Sequence, residues 1–219
     1  MTTALLPRPR ALLFDWDNTL IDSWDTIHAA LVVTFEAMGH EPWTMAETKL
    51  RVARSLRDSF PALFGERWEE ARKLYLDTFT AIHLERLRPI EGAEALLTEL
   101  AADGFYLGVV SNKTGRVLRR EAEHLGWTHH FRRLVGAGDA AVDKPMAAPV
   151  LLALEGSGIS CAETWYVGDT ALDLECAKNA GCVGVLLGAR ALEEESFARF
   201  PPALHSRSCM ALQEYVGGL

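Results

Sequence analysis

The longest apolar runs in the 219 residues fall far short of the roughly 20 residues that a membrane-spanning helix needs. Cysteine is also scarce. The chain has four, Cys161, Cys176, Cys182 and Cys209, and no two of them form a Cys-x-x-Cys pair. No disulfide framework is therefore expected, and a reducing compartment is the default. Basic residues are outnumbered, 22 against 30 acids, for a net charge of −8. A negative field over the whole chain repels phosphate backbones, so no nucleic-acid partner is expected. Any phosphate recognition has to come from a local site or a metal. Residues 1–10 carry two arginines and two prolines but no apolar core of the kind a secretion signal requires. These absences together predict a soluble, cytoplasmic protein that works without a membrane, and they leave its oligomeric state open.

What is present is ordinary for a globule. Hydrophobic residues make up 49% of the chain and charged residues 24%, which excludes intrinsic disorder. The length suits one large domain, or a domain carrying a modest second unit. Ala11-Leu12-Leu13-Phe14 is a continuous apolar run that stops abruptly at Asp15. Continuous rather than alternating apolarity marks a strand buried on both faces. Similar runs recur at residues 105–110, 134–135, 165–167 and 183–187. Between them, residues 91–102, 114–125, 146–154 and 173–180 read as helices. Asp103-Gly104, Gly126 and Gly181 stand where the first, second and fourth should stop. This alternation predicts an α/β fold: a Rossmann-like, three-layer core around a mainly parallel sheet.

Residues 23–88 break the alternation. Trp24, Ile27, Leu31, Phe35 and Met38 recur at steps of three and four, as do Trp68, Ala71, Tyr75, Phe79 and Ile82, with Leu87 beyond them. The expected organisation is a catalytic core of residues 1–21 and 89–219 with an α-helical cap, residues 22–88, inserted between its first two strands. Hinges fall near Asp22 and at residues 89–92.

Candidate chemistry collects at the predicted strand ends, where open α/β sheets keep their ligands. The first strand runs into Asp15-Trp16-Asp17-Asn18-Thr19. Two carboxylates at i and i+2 repel unless a cation or proton lies between them, and hard oxygens of this kind suit Mg²⁺. An Asx-rich turn capping the next helix is the alternative. The second strand runs into Ser111-Asn112-Lys113-Thr114-Gly115, where a hydroxyl and a helix N-terminus make either an anion site or a plain helix cap. Lys144, in Asp143-Lys144-Pro145, reads alone as a solvated loop lysine. Gly168-Asp169-Thr170-Ala171-Leu172-Asp173 then brings further acids to the same edge.

With these four motifs in this order, and a helical insert after the first, residues 11–188 resemble the haloacid dehalogenase superfamily, in particular its capped phosphatases similar to phosphoglycolate phosphatase. The resemblance implies an aspartyl nucleophile at Asp15 and a general acid and base at Asp17. It implies Mg²⁺ held by the Asp15 carboxylate, the Asp17 main-chain carbonyl and the Asp169 carboxylate, with Asp173 binding a coordinated water or steering these ligands. Ser111, Asn112 and Lys144 would grip the phosphate oxygens of a small phosphorylated metabolite. A phosphomutase similar to β-phosphoglucomutase remains an alternative, as does a non-catalytic module that binds phosphate and metal. A dehalogenase does not, because that chemistry needs no metal and relatives performing it lack the second aspartate of the loop.

Two departures from the family pattern stand out. Asn18 occupies a position where many relatives have glycine, and asparagine tolerates the left-handed turn that glycine supplies. The stretch after Lys144, Pro145-Met146-Ala147-Ala148-Pro149, lacks the second proline and the acid common there. In the cap, Arg51, Arg54 and Arg57 fall three apart on what reads as one helix, with Ser55 and Asp58 nearby. They either grip a second anionic group of the substrate or form a solvated face. His40 and Trp43 are cap-loop candidates for contact with the leaving group. The remaining histidines have no ligand spacing, and the neighbours His129 and His130 are expected to point apart.

Overall fold

A computed structural model of the chain describes residues 6–52, 54–189 and 195–219. The first apolar run is β1 (Ala11–Phe14), buried throughout. Its side chains alternate between two cores. Leu12 and Phe14 join one apolar cluster, while Ala11 and Leu13 join another on the opposite face. Continuous apolarity thus has the cause the sequence suggested, a strand covered on both sides.

After β1 the chain forms β2 (Ile21–Asp22) and then four helices, α1 (Trp24–Ala37), α2 (Met45–Arg51), α3 (Leu56–Phe64) and α4 (Trp68–Ile82). It returns through β3 (Arg88–Pro89), which pairs antiparallel with β2, Ile21 opposite Pro89 and Asp22 opposite Arg88. The expected hinges therefore lie side by side in one short ribbon. Ile27, Leu31, Phe35, Tyr75 and Phe79 meet Phe60 and Phe64 in an interior distinct from those of the sheet. Within it Trp43 lies against Phe35 and His40 against Phe64, so both pack the helices together.

The core resumes with α5 (Ala93–Ala102), β4 (Tyr106–Thr114), α6 (Gly115–His124), β5 (Arg133–Ala137), α7 (Ala148–Leu154), β6 (Thr164–Gly168), α8 (Ala171–Ala180) and β7 (Val183–Leu187). Three elements beyond those expected follow, α9 (Glu195–Arg199), β8 (Leu204–Ser206) and α10 (Cys209–Gly217). Among the described residues the main sheet has six strands in the order β5-β4-β1-β6-β7-β8, every pairing parallel. Leucines of α5, α6 and α10 cover one face, and Val150, Ala153, Cys176 and Ala177 of α7 and α8 cover the other. From β1 the chain passes to β4 on one side and later to β6 on the other. That reversal opens a crevice at the carboxyl end of β1, where this class of sheet binds ligands.

Two expectations need correction. Arg51, Arg54 and Arg57 do not share a helix. Arg51 closes α2, Arg54 lies in the connection and Arg57 belongs to α3. Thr44 and Glu47 cap α2 reciprocally, and Ser55 stands at the N-cap of a new helix, so spacing alone misread two short helices as one. His129 and His130 do not point apart either, because a 3₁₀ turn brings their ring centroids to 3.9 Å.

Candidate active site

Asp15 is the first residue past β1, and its N–H still donates to the Val167 carbonyl of β6 at 2.8 Å. The chain then turns sharply. The N–H groups of Leu20 and Ile21 both reach the Trp16 carbonyl, and Asn18 adopts φ 62°, the left-handed conformation expected of it. The Asn18 side-chain oxygen accepts from the Ser23 N–H at 3.3 Å, bracing the start of α1. Buried Trp16 anchors the turn edge-on against Trp127 and Phe131.

β6 delivers Asp169, which accepts from the Thr19 hydroxyl at 3.2 Å. The first turn of α8 delivers Asp173. Its Oδ2 caps that helix by accepting from the Thr170 N–H and hydroxyl, and its Oδ1 faces the Lys144 ammonium at 2.8 Å. A side chain at Gly168 would collide with Asp173, because an added Cβ would lie 2.3 Å from its Cβ and Cγ. Glycine before Asp169 therefore makes room for the second acid. Oxygens of Asp15, Asp169 and Asp173, all buried, lie within 4.8 Å of one another.

Lys144 is no solvated loop lysine. It is buried, with Nζ 2.9 Å from Asp15 Oδ1 and 2.8 Å from Asp173 Oδ1. Burial opposes its charge, but Asp15 and Asp173 hold its pKa well above the usual lysine value. The Asn112 carboxamide braces this lysine at both main-chain positions, accepting from its N–H at 3.1 Å and donating to its carbonyl at 3.3 Å. Ser111 lies beside them, buried, its hydroxyl oxygen accepting from the Lys113 N–H. Burial pushes the Asp15 carboxyl up to about 6. Lys144 opposes that shift, while Asp173 and Asp17 add to it. Three buried carboxylates against one ammonium leave a surplus of negative charge on hard oxygens, and a divalent cation fits that surplus.

The Asp17 carboxylate stands apart from this trio. Its Oδ1 lies 2.7 Å from the Lys113 ammonium, on the side facing the cap. Above it opens a cavity of about 800 Å³, counting space continuous with solvent. Asp15, Asp17, Ser111, Asn112, Lys144, Asp169 and Asp173 line its floor, and Trp24, Ile27, Leu76 and Phe79 line its roof. Of the cap candidates, Arg54 reaches this cavity. Arg51 pairs instead with Glu47 at 2.9 Å over the Trp43 ring, and Ser55 donates to Asp58 at 3.0 Å. Arg57 points to the core, where its guanidinium grips the Asp143 carboxylate at 2.5 and 2.6 Å.

Sequence reasoning passed over Lys113, Glu121 and His83. One signal was legible: Glu121 falls among Val117, Leu118 and Ala122 on the buried stripe of α6, where a charge needs a partner. Its partners come from three separate segments, so spacing could not name them.

Residues 12–186 match the family of haloacid dehalogenase-like hydrolases. The chain is 32% identical over 177 residues to a phosphoglycolate phosphatase of Xylella fastidiosa, covering 79% of this chain and 77% of that one. It is 29% identical to a pyrophosphatase of Halalkalibacterium halodurans, over 94% of this chain and 96% of the relative. A solved haloacid dehalogenase-like hydrolase from Streptococcus pneumoniae superposes with a TM-score of 0.82 at 22% identity, over 98% and 99% of the two chains, and so shares the fold.

Proposed function

The chain belongs to the haloacid dehalogenase-like hydrolase family, and we propose that it is a Mg²⁺-dependent phosphatase of small phosphorylated metabolites that works through an aspartyl-phosphate. The observation that carries this reading is the trio Asp15, Asp169 and Asp173 gathered at the switch point of the sheet, with Lys144 against Asp15 and Asp173.

In this reading the Asp15 carboxylate bonds to phosphorus as the bond from phosphorus to the substrate's alcohol oxygen breaks. Asp17, on the cap side, gives that oxygen its proton. Water then attacks the aspartyl-phosphate and yields its proton to Asp17, freeing inorganic phosphate and restoring Asp15. Ser111 donates its hydroxyl to a non-bridging oxygen, and Lys144 sets its ammonium against the charge that gathers on the phosphoryl group. Asp15, Asp169 and the Asp17 carbonyl would hold magnesium, which would supply further positive charge there. Asp173 has both oxygens engaged, by Lys144 and by its own helix start, so it steers the lysine and leaves direct ligation to its neighbours.

Arg54, on the cap side of the cavity, is the cationic contact for the leaving group. Phosphoglycolate, which carries a carboxylate, is the leading candidate, and the family relatives named for it support that choice. The test is phosphate release from a panel of phosphomonoesters and pyrophosphate, with Mg²⁺ and with EDTA. Release that needs the metal and disappears in Asp15→Asn is the expected result. Release indifferent to both would refute the assignment. Isomerisation of a hexose phosphate without phosphate release would make the protein a mutase.

A further inference from the structure

The mechanism above leaves one buried charge cluster without a task. Lys113, at the end of β4, is nearly inaccessible, and its ammonium touches Asp17 Oδ1 at 2.7 Å and Glu121 at 3.0 and 3.1 Å. The Phe79 ring of the cap covers it at 4.5 Å. Glu121, fully buried on α6, also accepts from the Trp16 indole N–H at 2.7 Å and lies 2.7 Å from His83 Nδ1. Trp16 separates the two aspartates of the catalytic turn, and His83 follows the last helix of the cap.

Stability does not explain such a cluster. Apolar residues of similar volume commonly replace buried ion pairs without loss. Geometry suggests another role. Even on an anchored turn a carboxylate can rotate about two torsions, and a general acid must aim its proton at one oxygen. Lys113 offers Asp17 a donor from one direction, and the apolar wall of Phe79 offers nothing in competition. Glu121 holds that lysine in place with one side and holds the turn, through Trp16, with the other. Burial opposes the charge on both groups, but Asp17 and then Glu121 raise the lysine's pKa, and Lys113, with His83 and Trp16, lowers that of the glutamate.

We propose that Lys113 and Glu121 are positioning residues for proton transfer: Glu121 fixes the Lys113 ammonium and the Trp16 turn, and together these hold the Asp17 carboxyl toward the leaving-group oxygen. The inference rests on Asp17 being the general acid.

The test compares kcat/KM for two substrates in Lys113→Met, in the nearly isosteric Glu121→Gln, and in the double variant, which removes both charges. An alkyl phosphate such as glycerol phosphate needs a proton on its leaving oxygen, whereas 4-nitrophenyl phosphate releases a stable phenolate without one. A general acid contributes on the order of a hundredfold or more. The alkyl ester should therefore lose about a hundredfold in kcat/KM and the nitrophenyl ester about threefold or less. Thermal melting followed by circular dichroism identifies which variants are folded, and Glu121→Gln carries the test if Lys113→Met does not fold. Equal losses on both substrates in folded variants would overturn the positioning role. Asp17→Asn is the control. If it discriminates between the substrates and the Lys113 and Glu121 variants do not, the inference alone fails. If Asp17→Asn also treats them alike, the general-acid reading fails first and takes the inference with it.

Discussion

Arg57 of α3 and Asp143, next to Lys144, form a bidentate ion pair between cap and core, and its contribution can be worked from exposure. The Asp143 side chain is 2% exposed and that of Arg57 is 37% exposed. Stripping the partner from a fully buried charge costs about 3–5 kcal/mol, whereas exposed pairs are worth about 0–1 kcal/mol. With the guanidinium open to water on one side, the expected loss for Arg57→Ala is about 2 kcal/mol, between those limits. Asp143 would keep one donor, the Gly138 N–H at 3.0 Å. Asp143→Asn keeps an acceptor for that N–H but gives up the charge, so Arg57→Ala in its presence should cost little. A double-mutant cycle by urea unfolding should give a coupling of about 1–2 kcal/mol. Losses that add in the double variant to within about 0.5 kcal/mol would show that the two residues touch without fastening anything.

Four further outcomes are expected. Asp15→Asn should abolish phosphate release while leaving the circular dichroism spectrum unchanged, and residual turnover near the original level would remove the nucleophile. Burial raises the Asp15 carboxyl to about 6, so protons compete with metal below that pH. Apparent Mg²⁺ affinity should then fall about tenfold per pH unit under 6 and level off above it, measured by calorimetry, and a flat profile from pH 5 to 7 would contradict this. Gly168→Ala should displace Asp173 and lower stability by about 1–3 kcal/mol, with weaker Mg²⁺ binding; an unchanged melting temperature would mean that the helix start moves aside freely. Arg54→Ala should raise KM for carboxylated substrates well above its effect on simple aryl phosphates, and equal effects would return Arg54 to the solvated surface.

The core and the set of residues gathered at its carboxyl edge were legible in the sequence because both follow from local pattern. Continuous apolar runs marked five of the six strands of the main sheet, and acids immediately after two of them marked the ligand edge. Even the left-handed Asn18 could be anticipated from residue type. What escaped depended on long-range encounters. β8 is a three-residue edge strand that, among the described residues, pairs with β7 alone. The ribbon of β2 and β3 joins residues almost seventy positions apart. Lys113 is four residues beyond Val109 in the same motif as Ser111, yet its partners Asp17 and Glu121 come from other elements. The two short helices replacing one in the cap were hidden for a different reason. Arginine spacing persisted across a break that only the caps at Thr44 and Ser55 declare.

The ribbon has a further consequence. Because the outgoing and returning chains meet there at about one strand spacing, the helical insert hangs from the sheet by a single closed neck and carries its own apolar interior. Changes to that interior, even wholesale replacement of the helices, need not disturb the register of β1 against its neighbours. Selection can therefore rework much of the insert while the acids at the end of β1 keep their places, provided the contacts of Phe79 with Lys113 and of His83 with Glu121 are retained. Grafting a relative's insert between Asp22 and Arg88 is the direct way to test that separation.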